Sequence, residues 1–431
     1  MSEGKIVVGV DIGTSKIVTI IARVDDESVN VLGVSEVPSR GVKKGQIVDI
    51  KDAVEAINNS LDGAERMAGH SVSNIVASIG GSQIESQNSR GVVAVSSPQG
   101  EITESDLDRV IDAAKAVSLP SSRQIIHVLP RNYVVDGQEG IKDPIGMTGI
   151  RLEVDTHIIS TATVSLSNLE KAFSQVGIDI DGVAFSGYAS SLAVLSETEK
   201  ELGVILVDIG AGTTDISIYS EGSVAYSSVL PIGARHITND LAIGLRISLE
   251  SAEKIKIFLS NMAKKPRIER LGETFQKDPA KNTDEVDLTS LGLPEDLKKV
   301  SNKTLTDGII RPRLNEIFTM VGIEVKRSGF AGQTPAGIVV TGGGALTVGI
   351  MDSAKRTLAM PVRIGKPINI KGLIDEIEET PFATVVGLAI FGASLNIKQS
   401  MPFGFSLPSF GSLGINKLFS RIFKFIKSFM P

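Results

Sequence analysis

The chain of 431 residues contains no cysteine, no tryptophan and only four histidines, His70, His127, His157 and His236. Without cysteine there is no disulfide scaffold, no cysteine-ligated zinc and no thiol nucleophile, which fits a reducing compartment. The histidines lack ligand spacing and read as structural or surface residues. Cationic excess is missing too: 44 Lys and Arg stand against 50 Asp and Glu, a formal charge of −6, so no overall footprint for nucleic acid is present. The start, MSEGKIVVGVDIG, has acid and glycine where an export leader needs a basic stretch and then an apolar core. Long apolar runs are few. Residues 332–351 and 380–397 come nearest to a membrane span, but Gly, Thr and Pro dilute them and both read as core. What is present is 42% apolar residues, enough for a sizeable core, in a length that suits about three domains of ~150 residues.

The most informative feature is an internal echo. Lys5 to Ala22 reads KIVVGVDIGTSKIVTIIA, and Gly203 to Ser220 reads GVILVDIGAGTTDISIYS. Each is an apolar strand, Asp-Ile-Gly, a short Gly/Thr/Ser turn and a second stretch of strand character. A Walker loop or a Rossmann fingerprint would open a helix after its glycines. The two segments therefore predict phosphate-gripping hairpins, and the wide separation of Asp11 from Asp208 predicts two similar halves facing one another across a ligand. In the first hairpin Gly13 frees the backbone to approach an anion, while Thr14, Ser15 and Lys16 supply amides and hydroxyls. Gly210, Gly212, Thr213 and Thr214 occupy the matching turn, and Asp215 closes it. Asp11 and Asp208 supply two carboxylates for a hydrated Mg²⁺, which takes few protein ligands and keeps its waters. Either hairpin alone is equally well a buried strand ending in a glycine turn; the two matched copies favour the phosphate site.

A third glycine-rich element, IVVTGGGALTVGI, holds Gly342, Gly343 and Gly344 together, so that main chain passes close to a flat ring or ribose. Glu253 and Lys256 of SAEKIKI lie three apart on one helix face, placed either for ribose hydroxyls or as an ordinary surface ion pair. In PIGARHITNDLA, Thr238 or Asn239 reads as a helix N-cap.

The C-terminal end differs in charge from the rest. From Ile415 onward Lys417, Arg421, Lys424 and Lys427 stand without an acid, so a basic tail follows an acidic body. The uncharged Ser/Gly/Pro-rich stretch before it predicts a flexible linker, with the globular part ending near Ile397. In INKLFSRIFKFIKSFM, at ~100° per residue, Ile415, Leu418, Phe419, Ile422, Phe423, Phe425, Ile426, Phe429 and Met430 fill one continuous arc of about 160°. Arg421, Lys424, Lys427 and the remaining polar residues fall opposite. That pattern predicts a helix lying in the plane of an anionic membrane surface, each cation contributing ~1 kcal/mol, with a partner's groove as the lesser alternative.

These motifs resemble those of the actin, chaperone-ATPase and sugar-kinase superfamily: VGVDIGTSK its first phosphate motif, LVDIGAGTTDISIY its second, VTGGGALTVGI its adenosine motif. Gln83 to Ser160, with HVLP and IKDPIGMTGIRLE, resembles the extra subdomain of the FtsA family of actin-like bacterial cell-division proteins, and the likeness spans essentially the whole chain. The resemblance implies an α/β, actin-like fold of two ribonuclease-H-like halves. Subdomain 1A would comprise residues 1–82, 161–198 and 383–397; subdomain 1C, placed unlike actin's own insertion, 83–160; subdomain 2A, 199–245 and 331–382; and subdomain 2B, 246–330. A linker at 398–414 and the membrane-targeting helix at 415–431 would follow. It further implies ATP in the cleft with slow or no hydrolysis, filaments on the cytoplasmic face of the membrane at the division site, and tethering of the FtsZ ring. The C-terminal peptide of FtsZ would meet Arg311 and Arg313, and later division proteins subdomain 1C. Many relatives carry Glu-Pro ahead of Ala-Ser-Ser, where this chain has Ser186-Gly187-Tyr188, so a water-positioning carboxylate is missing. A PilM-like pilus-assembly protein and a sugar-kinase-like phosphotransferase are the alternatives. The first would lack the basic tail, the second would need a catalytic acid facing an acceptor pocket, and a chaperone would need a substrate-binding domain after the cleft.

Overall fold

A computed structural model describes residues 4–25, 28–264, 284–372 and 375–395. The basic tail and its linker lie outside the described residues.

Both copies of the echo are hairpins. Lys5–Ile12 pairs antiparallel with Lys16–Val24, Asp11 opposite Val18, and Val204–Ile209 pairs antiparallel with Thr214–Ser220, Asp208 opposite Asp215. Each hairpin continues into a third antiparallel strand, Val29–Pro38 or Ser223–Leu230. On its other edge each first strand gains two parallel neighbours. These are Asn74–Ile79 and Asp179–Phe185 in the first half, and Ile338–Thr341 and Val362–Ile364 in the second. These five strands follow the same order in both halves, the duplicated α/β architecture that the resemblance implies, and the first sheet adds a sixth, Ile370–Gly372, parallel to Val29–Pro38. Central strands such as Val204–Ile209 are buried along their whole length, which is why that strand is apolar except at Asp208.

Helices cover these sheets. Ile50–Ala68 starts at Asp49, whose Oδ1 accepts the Asp52 amide at 3.1 Å, and ends at Gly69 in the left-handed conformation. The stretch from Thr380 is core: Ala383–Ser394 forms a helix whose residues Ala383 to Ala389 are all buried. Among the described residues no helix is long and apolar enough to cross a membrane. The expected N-cap at Thr238 or Asn239 is a correction. The helix is Ala234–Leu245, and Thr238 is buried in its second turn. Tertiary contact decides this start: the amides of Ala234 and Arg235 donate at 2.9 Å to the carbonyls of Gly210 and Ala211 in the second hairpin.

Between Asn74–Ile79 and Asp179–Phe185 the chain builds a separate sheet. Glu85–Ala94 and Arg123–Val135 both pair with Arg151–Ala162, and Gln138–Ile141 forms the outer edge. Helix Glu104–Lys115 closes it around Ile102, Val110, Leu152 and Val154. Asp106 is buried in that helix, which alone would raise its pKa, but the hydrogen bonds it accepts from Thr103 and Ser96 outweigh this and hold its carboxyl at about 2. In the second half, helices Leu249–Lys264 and Arg311–Arg327 pack on the sheet around Leu314, Ile317 and Phe318.

Candidate functional site

The two hairpin turns meet. A methyl group on Gly212 would lie 2.8 Å from the Thr14 hydroxyl, so the tips touch across the cleft between the halves. Asp11 to Lys16 line this cleft from one side and Asp208, Gly210, Gly212, Thr213 and Asp215 from the other. Gly342 and Gly343 line it as well. The cleft is open to solvent, with about 680 Å³ of empty space between these residues, open solvent included.

Glycine is required at specific points. A Cβ at Gly13 would lie 2.6 Å from the Lys16 carbonyl oxygen, inside the turn. Gly342, at φ +82°, would place one 2.1 Å from Asp208 Oδ1, whereas a Cβ at Gly343 meets nothing within 4 Å and points into open space. Gly344 is buried against Ile209 and serves packing.

Three carboxylates line the cleft, Asp208 and Asp215 buried and Asp11 half-buried. Asp11 accepts the Ser78 hydroxyl at 2.8 Å, and burial raises its pKa while Ser78 and the charge of Lys16 pull it back. Asp208 accepts from Thr384 at 3.2 Å; burial and then the charge of Asp11, partly offset by the Ser190 and Thr384 hydroxyls, push it up to about 6. Asp215 is raised well above the ordinary value, by burial and then by both other aspartates, and its Oδ1 is buried without a hydrogen-bond partner. Buried, mutually repelling carboxylates and an orphaned oxygen are relieved by a cation. Among the described residues no three acidic or histidine side chains converge closely enough to hold an ion alone. Mg²⁺ bound mainly by phosphate oxygens and water fits that donor set.

The remaining sequence-predicted residues divide. Lys16 Nζ pairs with Glu36 at 2.6 Å and lies 4.4 Å over the Phe382 ring while lining the cleft. Thr214 is buried and its hydroxyl donates to the Ile232 carbonyl at 2.8 Å, which removes it from phosphate reach. Glu253 and Lys256 form an ion pair at 2.8 Å, and Lys256 also donates to Thr238 at 2.9 Å, outside the glycine-lined part of the cleft. Arg313 forks onto Asp240 at 2.6 and 2.8 Å, and Arg311 pairs with Asp307 at 2.8 Å. Ser78, Gly45, Gly80 and Thr384 complete the cleft or its carboxylate contacts and were not predicted. Gly80 alone had a signal: it follows the apolar strand NIVASI as Gly13 follows KIVVGVDI. Ser186, at the position noted for its missing carboxylate, faces Asp215 across Gly80.

Comparison with known proteins decides the family. The profile "SHS2 domain inserted in FTSA" matches residues 81–160, and "Cell division protein FtsA" matches residues 205–387. Cell division protein FtsA of Pseudomonas aeruginosa is 39% identical over 394 residues, covering 91% of this chain and 90% of that protein. That of Bacillus subtilis (strain 168) is 36% identical over 408 residues, covering 95% and 88%. The chain belongs to the FtsA family. Membership carries an actin-like role in cell division. Solved structures agree on the fold. A PilM-PilN type IV pilus biogenesis complex superposes with TM-score 0.62 at 15% identity, covering 90% of this chain and 99% of that one. MreB5 of Spiroplasma citri bound to ADP superposes with TM-score 0.51 at 15% identity, covering 90% and 96%. At that identity PilM shares the fold with this FtsA-family chain and no more.

Proposed function

We propose that the chain binds magnesium ATP in the cleft, polymerises on the cytoplasmic face of the membrane at the division site and tethers the FtsZ ring there. The observation that carries the nucleotide reading is the pair of touching hairpins with Asp11, Asp208 and the orphaned Asp215 oxygen at their roots. Asp11 and Asp208 would hold the ion through water, the amides of residues 13–16 and 210–213 would take phosphate oxygens, and Gly342 and Gly343 would pass under the nucleoside. Bound Mg²⁺ would neutralise phosphate charge. Hydrolysis is at most slow, because Ser186-Gly187-Tyr188 offers no carboxylate to position a water. The MreB5 neighbour bound to ADP supports a nucleotide in this fold.

The FtsZ peptide is assigned to the Arg246 to Phe330 region. Arg311 and Arg313 would have to exchange their intramolecular acids for it, so an acidic peptide competes with Asp307 and Asp240. Other division proteins would dock on the 83–160 insertion.

For membrane residence the basic tail is the element. One amphipathic helix binds reversibly, and a filament presenting many gains avidity without new contacts. Sedimentation with anionic vesicles tests this. The full chain pellets with them, and a chain ending at Gly414 stays in the supernatant. Co-sedimentation of the shortened chain removes the tail from the account.

A further inference from the structure

The 83–160 insertion is rooted in the first half, yet it also bonds the second. At its root Arg123 donates to the carbonyls of Gln83 at 2.9 Å and Ser160 at 3.0 Å, tying together the two chain crossings. From there its edge strand Glu85–Ala94 runs against Ser223–Leu230, the edge strand of the second half. Ser86 Oγ donates to the Ser227 carbonyl at 2.7 Å and accepts the Ser227 amide at 3.2 Å. Asn88 Nδ2 donates to the Ala225 carbonyl at 3.2 Å. Between them His157, buried, bridges Asn88 Oδ1 at 2.7 Å and Ser227 Oγ at 3.0 Å. Burial, with Arg131 nearby, drives its pKa down to about 3 and keeps the ring neutral. With Nδ1–H donating to Asn88 Oδ1, Nε2 accepts from the Ser227 hydroxyl, and every member of the chain is satisfied. Lys142 and Glu201 add an exposed ion pair between the same bodies at 2.8 Å.

Both contacts lead to the cleft. Strand Ser223–Leu230 continues to Ile232, whose carbonyl accepts Thr214, and to Gly233, which packs on Gly210 and Ala211 of the second hairpin. On the first-half side, His127 Nε2 of the insertion strand Arg123–Val135 accepts the Phe185 amide at 2.9 Å, immediately before cleft residue Ser186. The His127 ring stands edge-on to Tyr188 at 5.0 Å and to Phe391 at 5.4 Å. Those rings lie on the helices that bring Ser186 and Thr384 to the carboxylates.

We propose that the insertion braces the cleft: Ser86, Asn88, His127 and His157 are positioning residues that hold the two halves in their ligand-gripping arrangement, so that nucleotide occupancy and the seating of the insertion are linked. The proposal rests on the nucleotide reading above. Separating the hairpin tips moves the second half away from the first and must shear the seam at Ser227. Linkage is reciprocal, so a partner that pulls the edge strand Glu85–Ala94 off its seat weakens nucleotide binding by the same factor.

Hydrogen exchange of the full chain with and without magnesium ATP tests this. Slower exchange is expected both at the cleft hairpins and at the seam amides of residues 86–89 and 224–229. Protection at the hairpins with an unchanged seam overturns the brace and leaves the nucleotide reading standing; no protection at either overturns both. In parallel, Ser86→Ala with Asn88→Ala is expected to raise the magnesium ATP dissociation constant about fivefold or more, and an unchanged constant contradicts the brace. His127→Leu is expected to weaken nucleotide about tenfold while His127→Gln, which keeps an acceptor for the Phe185 amide, stays within about twofold. Equal losses in the two would reduce His127 to a packing residue.

Discussion

Alanine at Gly342 is expected to destabilise the protein with or without nucleotide, and alanine at Gly343 only to weaken the nucleotide. At Gly342 the backbone sits at φ +82° and ψ 175°, a region essentially reserved for glycine, and the added methyl would stand 2.1 Å from Asp208 Oδ1. Strain and clash together should cost about 3 kcal/mol or more in chemical denaturation, and displacing Asp208 should also abolish measurable binding. One residue on, a Cβ meets no protein atom within 4 Å. Gly343→Ala should therefore keep its nucleotide-free stability to within about 0.5 kcal/mol. Its methyl occupies the space assigned to the nucleoside, so affinity should fall about tenfold, the equivalent of ~1.4 kcal/mol. Equal destabilisation by both changes, or full affinity in Gly343→Ala, would remove the glycine-rich turn from the nucleotide floor.

Asp208→Asn is expected to act with opposite signs on stability and on binding. The folded pKa of Asp208 is raised to about 6, so its ionised form is disfavoured in the folded chain. The resulting penalty is absent below the unfolded value near 4 and grows as pH rises through about 6. Asparagine removes it. At pH 7.5 the nucleotide-free variant should be more stable by on the order of 2 to 3 kcal/mol, and this gain should shrink to nothing as pH falls from 6 towards 4. His127 and His157 act in the other direction. Burial holds each at about 3, so their contribution is complete above the unfolded value near 6.5 and is lost as pH falls below it. Because both chains share those histidines, the difference between their denaturation profiles isolates Asp208. Binding should behave inversely. A protonated Asp208 cannot attract hydrated Mg²⁺, so wild-type affinity should fall roughly tenfold per unit below pH 6, and the variant should lose magnesium-dependent binding at every pH. A variant less stable at pH 7.5, or one with undiminished magnesium dependence, would contradict the role given to this carboxylate. The pattern is the usual one at functional sites, where stability is given up for a charge the ligand needs.

The parts of this site that were legible in the sequence are those written in contiguous residues. Asp-Ile-Gly between two strand-forming stretches specifies a hairpin locally, and its repetition specifies two facing halves without reference to any tertiary contact. The third glycine run was legible for the same reason, although only Gly342 and Gly343 reach the cleft while Gly344 packs inside. Ser78 and Thr384 were not legible. Each is one hydroxyl within an apolar run, and only the parallel pairing of Asn74–Ile79 and the packing of helix Ala383–Ser394 carry it to a carboxylate. The start of helix Ala234–Leu245 was misplaced because its first amides are satisfied by a distant turn rather than by a local cap. Likewise a sequence can pair Glu253 with Lys256 by spacing alone, yet Thr238, which binds both, comes from the preceding helix. The insertion was recognised by family likeness, and its seam with the second half depends on side-chain hydrogen bonds between strands far apart in the chain.

Isothermal calorimetry of magnesium ATP titrated into the purified full chain, beside Asp11→Asn and Asp208→Asn, bears most directly on the claim that the two hairpins grip a single nucleotide through its metal. One saturable site per chain is expected in the wild type, lost when magnesium is chelated and lost in both variants. No uptake by folded wild-type protein, or binding that neither aspartate affects, would contradict it.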